Sequence, residues 1–82
     1  MSVKDELLFD FSFNMPRVLV SGNIAIIDNV KRVVLFSEEQ IIVHNGKLYT
    51  SAEGNNLTIK ELREERMLIA GGLEQIRFFE RL

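Results

Sequence analysis

His44 is the side chain of this sequence that titrates nearest neutral pH, which makes it the first candidate for acid–base chemistry. A catalytic base needs a nucleophile and an orienting group within hydrogen-bond reach. A strand would give His44 the neighbours Ile42 and Tyr49 on its own face, and these do not form such a set. We interpret His44 as an exposed cross-strand neighbour of Lys47 and predict no catalytic residue.

Carboxylates concentrate at Glu61, Glu64 and Glu65, a pattern that would suit paired acid–base groups or a hard cation. Basic residues are interleaved with them between residues 60 and 66. Opposite charges at such short spacing favour local ion pairs on a solvated turn. We therefore predict a structural role for this segment and no metal site.

The cysteine count and the glycine spacing exclude further kinds of chemistry. The sequence has no cysteine, so it cannot form disulfides, thiolate nucleophiles or cysteine-ligated metal centres. Gly71-Gly72 lacks the spacing of a phosphate-binding loop, and the residues after it do not read as a helix whose N-terminus would hold an anion. We expect no cofactor and no enzyme.

Length and charge narrow the class of protein. The chain has 82 residues, which suits one small domain over residues 1–82, and its formal net charge is −2. A net negative charge disfavours nucleic-acid binding. The longest apolar runs are strand-sized, and residues 1–6 are acidic where a signal peptide would be basic. We expect a cytoplasmic protein that does not insert into a membrane directly.

Turn signals recur about every eight to ten residues, and short segments rich in β-branched and aromatic residues lie between them. This rhythm predicts an all-β fold, a small antiparallel β-sandwich or partly open barrel of about six to eight short strands. A short β-solenoid-like coil is the alternative. The predicted strands are 17–21, 24–28, 31–36, 41–50 as a hairpin, 57–60, 67–70 and 73–79. A turn or bulge is expected at Gly71-Gly72.

Three segments carry a more specific local prediction. Asn45-Gly46 suits a two-residue type I′ turn, which would place Val43 opposite Leu48 and Ile41 opposite Thr50. Residues 61–66 contain strong helix formers and are alternatively a short helical turn. Residues 3–8 have the pattern of a short amphipathic helix.

Phe9, Phe11 and Phe13 alternate with polar residues, which is strand periodicity. They predict either an edge strand that caps the domain's own core or an N-terminal arm, within residues 1–15, that docks on another subunit or protein. Arg77 and Phe79 share a face of the last predicted strand. These five residues, with Pro16 and Arg17, are the candidate interaction residues.

The motifs resemble a known family when they are taken in order. They are Pro16-Arg17 followed by an apolar run and Gly22-Asn23, then Ile27-Asp28-Asn29 leading to 32–37, Gly46 in a hairpin, the segment 54–59, and 67–71 through 76–78. Over about residues 5–80 the chain resembles the YabP/YqfC family of sporulation proteins. Residues 4–8 followed by Pro16-Arg17 are closer to the YqfC branch.

The resemblance implies a non-enzymatic factor of endospore formation. We expect a structural or protein-interaction module that forms a homo-oligomer or docks on another sporulation protein, for example a membrane-associated one that recruits it. The alternative hypothesis is a small-ligand- or nucleic-acid-binding regulatory β-barrel, in which His44, Tyr49, Arg77 and Phe79 line a pocket or a stacking platform.

Overall fold

The structure is a computed structural model, and it describes residues 14–82. Alternating apolar and polar residues, interrupted by turn residues, give six β-strands. They are β1 (Arg17–Ser21), β2 (Ile24–Asp28), β3 (Arg32–Phe36), β4 (Gln40–His44), β5 (Tyr49–Arg63) and β6 (Arg66–Phe79). The predictions for residues 3–8 and for Phe9, Phe11 and Phe13 concern residues outside the described part of the chain.

All six strands belong to one antiparallel sheet in the order β1-β2-β6-β5-β4-β3. The predicted all-β class and the number of strands are confirmed. Since every neighbouring pair is antiparallel, the fold is not the solenoid-like coil that was the alternative. Within residues 14–82, β1 and β3 are the two edges of the sheet.

β5 and β6 are long, with 15 and 14 residues, and each is shared between two parts of the sheet. Residues 58–63 of β5 and 66–70 of β6 form the first half of the sheet together with β1 and β2. Residues 49–53 of β5 and 75–79 of β6 form the second half together with β3 and β4. Between the halves, the pairing of β5 with β6 shifts register near Gly54 and between Asn55 and Thr58.

Glycine is required at this irregular centre. Gly71 has a φ of 137°, and a side chain on it would meet the backbone of Asn56 and Leu57. A side chain on Gly54 would collide with the carbonyl oxygen of Gly72. The predicted bulge at Gly71-Gly72 is confirmed, and it lies inside one continuous strand. The break predicted between the strands 41–50 and 57–60 is likewise an irregularity of β5 near Gly54 and not a chain reversal.

One apolar cluster is shared by the two halves. It combines side chains of β2 and β6 with side chains of β4 and β5, and its buried members are Ile27, Val30, Ile41, Val43, Ala52, Leu57, Met67 and Ile69. The inner faces of the two halves therefore pack on each other, although both belong to the same sheet. In the predicted strand 57–60, Leu57 belongs to this cluster and Ile59 packs partly buried against it.

The β4–β5 hairpin forms as expected, but its predicted register is wrong. His44 pairs with Tyr49 and Val43 with Thr50, so the two-residue turn is Gly46-Lys47 and not Asn45-Gly46. Asn45 is fully buried, since its amide donates to the carbonyl oxygens of Asp28 and Asn29 at 3.1 and 3.2 Å and accepts a 2.7 Å hydrogen bond from the Thr50 hydroxyl. These long-range partners hold Asn45 out of the turn.

The helical alternative for residues 61–66 is wrong. β5 runs through Arg63, and Glu64-Glu65 form a two-residue turn with φ values of 52° and 63° before β6 begins at Arg66. Positive φ at both central positions is the requirement of a type I′ turn, which matches the twist of the two flanking strands. Pairing with β6 thus outweighs the helix propensity of this short segment.

The polar cluster around Asn45 generates the first prediction. Asn45→Ala leaves the Thr50 hydroxyl and two carbonyl oxygens without their partner, and we expect it to lower the free energy of unfolding by about 2–4 kcal/mol. Asn23→Ala, at an exposed turn position, is the matched control and should change it by less than about 0.5 kcal/mol. Urea denaturation followed by circular dichroism measures both. If the free energy of unfolding fell equally in the two variants, the hydrogen bonds of the buried Asn45 amide would contribute no more to stability than an exposed turn residue does.

Candidate functional site

The structure separates the candidate interaction residues that it describes into two groups. Pro16 lies directly before β1 and Arg17 begins it, at an edge of the first half. Arg77 and Phe79 lie on the outer face at the end of β6 in the second half, opposite Ser51 and Tyr49. These two groups do not form one surface.

The second half carries a row of rings on its outer face. Cross-strand pairing places His44 beside Tyr49 and Tyr49 beside Phe79. The ring centroids of His44 and Tyr49 are 4.7 Å apart, and those of Tyr49 and Phe79 are 5.8 Å apart and stacked. His44 is half-buried against Tyr49, so its interpretation as an exposed neighbour of Lys47 is wrong. The cause is the observed register of the hairpin, which places Tyr49, and not Lys47, opposite His44.

A polar network lies next to this row. Arg77 donates a 2.6 Å hydrogen bond to the carboxylate of Glu53, and Ser51 donates another at 2.9 Å. Gln40 in turn donates to the Ser51 hydroxyl at 3.0 Å. The Arg77 hydrogen bond, and then that of Ser51, lower the pKa of the Glu53 carboxyl below its ordinary value. Arg77 is therefore engaged with Glu53 and holds part of the outer face together.

The first half has a different outer face. In register across three strands lie Leu19 of β1, Ile26 of β2 and Leu68 of β6, and Ile24 lies beside them near the β1–β2 turn. Leu19 is 67% exposed and Ile24 is 43% exposed. We call these four residues the outer apolar patch, and it extends from the middle of the sheet to the β1 edge.

Charged residues border the outer apolar patch at one end. The register places Arg17, Asp28 and Arg66 side by side, and Arg66 donates a 2.6 Å hydrogen bond to the carboxylate of Asp28. This bond raises the pKa of the Arg66 guanidinium above its ordinary value. The charges and the apolar residues Ile26 and Leu68 line a groove of about 520 Å³. The site thus combines an apolar floor with a charged rim.

The two edges of the sheet differ in their suitability for pairing with another strand. β1 pairs with β2 over five residues with no shift of register. β3 carries an irregularity between Val33 and Leu35, and such bulges protect an edge because they twist it away from a partner. Of the edges that the described residues form, β1 is the regular one.

Two further kinds of functional feature are absent from the described part of the chain. Residues 14–82 contain no group of three or more histidine, aspartate or glutamate side chains placed to hold a metal ion. In this part of the chain there is also no helix with the length and apolar character needed to cross a membrane.

Comparison with known proteins decides the family. The model of the YabP family matches residues 16–81, which is most of the chain. The chain belongs to the YabP family. No curated protein and no solved structure gives a significant match. The predicted place of the chain in the YqfC branch stays a prediction.

In this YabP family chain, sequence reasoning missed the outer apolar patch. The signal was present, because β1 and β2 are apolar at consecutive positions as well as at alternate ones. A strand with apolar residues on both faces either is covered on both sides or exposes one of them. The interaction roles of Phe9, Phe11, Phe13, Pro16, Arg17, Arg77 and Phe79 stay predictions.

The Glu53–Arg77 pair generates a pH prediction. Because the hydrogen bond from Arg77 lowers the pKa of Glu53 in the folded chain, the contribution of Glu53 to stability is present above its ordinary pKa and is lost as the pH falls through the lower, folded value. We expect the melting temperature of the native chain to fall more steeply between about pH 5 and pH 3 than that of Glu53→Gln.

The matched control is Glu74→Gln, which alters an exposed glutamate of β6 outside the Glu53 network. Thermal unfolding followed by circular dichroism at stepped pH compares the three proteins. If the melting temperature of Glu53→Gln fell with decreasing pH as steeply as that of the native chain, this would contradict the assigned role of the Arg77 hydrogen bond.

Proposed function

We propose that this YabP family chain is a non-enzymatic factor of endospore formation that works in the cytoplasm of the sporulating cell as a protein-interaction module. Membership in the family is consistent with a sporulation-related role. The module would act by holding a second protein, either another sporulation protein or a copy of itself, at an exposed strand edge. A membrane location would come from such a partner.

One observation carries the interaction role: an apolar surface reaches the regular edge of the sheet. Leu19 lies on β1 with 67% of its surface exposed, and Val20 beside it on the opposite face is 49% exposed. Fully burying such a side chain contributes roughly 1.5–3 kcal/mol. A partner strand would bury these side chains and at the same time pair with the backbone of β1.

The border of the outer apolar patch indicates the character of the partner. Arg17 begins β1, and Arg66 and Asp28 are already bonded to each other beside it. A partner segment with apolar residues in its middle and a polar or acidic residue at the end near Arg17 suits this arrangement. Such complementarity would fix the direction in which a strand lies.

The ligand-binding alternative rests on a specific observation, and we place it second. The structure brings His44, Tyr49 and Phe79 into one row, as a stacking platform requires. Arg77, however, is held by Glu53, so the cation that such a platform would use is neutralised. Under the interaction proposal, nucleotides and short oligonucleotides leave the melting temperature unchanged in a thermal-shift screen. A clear rise with any of them would favour the alternative.

The proposed function is tested by complementation in the source bacterium. Deleting the gene should reduce the yield of heat-resistant spores, and a native copy should restore it. Leu19→Glu places a charge in the outer apolar patch at an exposed position, so it should fold normally and yet fail to restore sporulation. Leu82→Glu makes the same substitution at a leucine that is also 67% exposed but lies outside the outer apolar patch, and it serves as the matched control.

Immunoblots and the melting temperatures of the purified variants separate loss of interaction from loss of protein. We expect both variants to accumulate and to melt within about 3 °C of the native chain, since exposed substitutions change stability little. Full spore yield with Leu19→Glu would overturn the role of this surface. Full spore yield after deletion would overturn the sporulation role itself.

A further inference from the structure

We infer that the partner of the β1 edge is β1 of a second copy of this chain, paired antiparallel about a two-fold axis through Leu19. The inference rests on the proposed function, because it names the occupant of the docking edge. It follows from the backbone polarity of β1, from the residues at its two ends and from its side-chain pattern.

The backbone of β1 presents a symmetric set of hydrogen-bonding groups. β1 and β2 are joined by the two-residue turn Gly22-Asn23, which closes on the pair Ser21 and Ile24. A turn of this length closes on a hydrogen-bonded pair, and such pairs then alternate along the ladder. Residues 17, 19 and 21 therefore direct their backbone groups to β2, and Val18 and Val20 direct theirs to the edge with which no strand of residues 14–82 pairs.

An antiparallel second β1 satisfies this set completely in one register. When Leu19 lies opposite Leu19 of the second copy, Val18 of each copy lies opposite Val20 of the other. Each such pair exchanges two hydrogen bonds, so the interface gains four. The two-fold axis passes between the two Leu19 residues, which form a non-hydrogen-bonded pair.

The ends of β1 exclude the neighbouring registers. A shift of the centre to Val18 would require a donor at position 16, where Pro16 has no N–H group. A shift to Val20 would place Val18 opposite Gly22, which belongs to the turn and has a φ of 60°. The register centred on Leu19 is the one that uses all four outward groups.

The side chains are complementary in the same register. Leu19 meets Leu19 on the outer face, and Val18 meets Val20 on the inner face. Arg17, the charged residue of β1, lies opposite Ser21 of the second copy. The two Arg17 residues stand at opposite ends of the pair, about 13 Å apart at 3.3 Å per residue, beyond the Debye length of about 8 Å at physiological salt. No like charges confront each other.

The regularity of β1 distinguishes it from the other edge. β3 begins after Lys31 with Arg32 and is interrupted between Val33 and Leu35, which are features that deter pairing. β1 has neither an internal charge nor a bulge. A five-residue strand pair with its flanking side chains is smaller than a standard interface, so the dimer should be reversible and concentration-dependent.

Disulfide trapping tests the register, and the absence of native cysteine makes it specific. Residues of a non-hydrogen-bonded pair have Cα atoms about 4.5 Å apart, within the range of a disulfide. Under mild oxidation Leu19→Cys should form a covalent dimer. Arg17→Cys and Ser21→Cys should each stay monomeric alone and should form a mixed dimer when they are combined.

Phe36→Cys, at an exposed position of the β3 edge, is the matched control and should crosslink at only the background rate. Sedimentation of the unaltered full chain provides a measurement that needs no variant. We expect its mass to rise from monomer to dimer between low- and high-micromolar concentration, and Leu19→Glu to hold it at the monomer.

A native chain that stays monomeric throughout this range would overturn the inference, and so would crosslinking at Phe36→Cys as fast as at Leu19→Cys. A monomeric chain whose Leu19→Glu variant still fails in complementation would leave the proposed function standing with a different partner. A trapped dimer together with full sporulation by Leu19→Glu would support the self-pairing and overturn the proposed function.

Discussion

The close approach of two backbones at the centre of the β5–β6 hairpin is the constraint on which the rest of the structure depends. Gly54 lies against Gly72 with no room for a side chain, and Gly71 adopts a φ that other residues rarely reach. Here the ladder shifts register, and the two strands divide into two halves. If this hairpin were regular, it would continue as a single twisted ribbon, and its two halves would not fold onto each other to enclose one core.

The loop between β3 and β4 secures the same region. The amide of Gly54 donates to the carbonyl oxygen of Glu39 at 3.0 Å, and that of Leu57 donates to Glu38 at 2.8 Å. A register shift leaves backbone groups without partners in the ladder, and a buried unpaired group is costly. The loop supplies those partners. The central irregularity is thus held by hydrogen bonds as well as permitted by glycine, and Leu57 beside it enters the core.

Much of the fold was predictable because local patterns decide it. The bounds of β1 and β2 follow from Pro16, Gly22-Asn23 and Asp28-Asn29, and the structure has them as expected. The β4–β5 turn was not predictable, because Asn45 is a good turn residue whose actual partners lie 16 and 17 residues away. Local signals also do not distinguish a turn at residues 54–56 from an irregularity within a strand, since both require glycine or asparagine.

The candidate site was less predictable for a related reason. Which of two apolar faces is buried depends on how the halves fold together, and the sequence of β1 is apolar on both faces. Once the core takes Ile27, Met67 and Ile69 from the first half, Leu19 and Ile24 must lie outside it. The glycine-centred irregularity that allows one sheet to enclose its own core therefore also determines the surface that it exposes. An open sheet keeps its edges, and among residues 14–82 the regular edge and the outer apolar patch meet at the same strand, which is the physical basis of the proposed binding through β1.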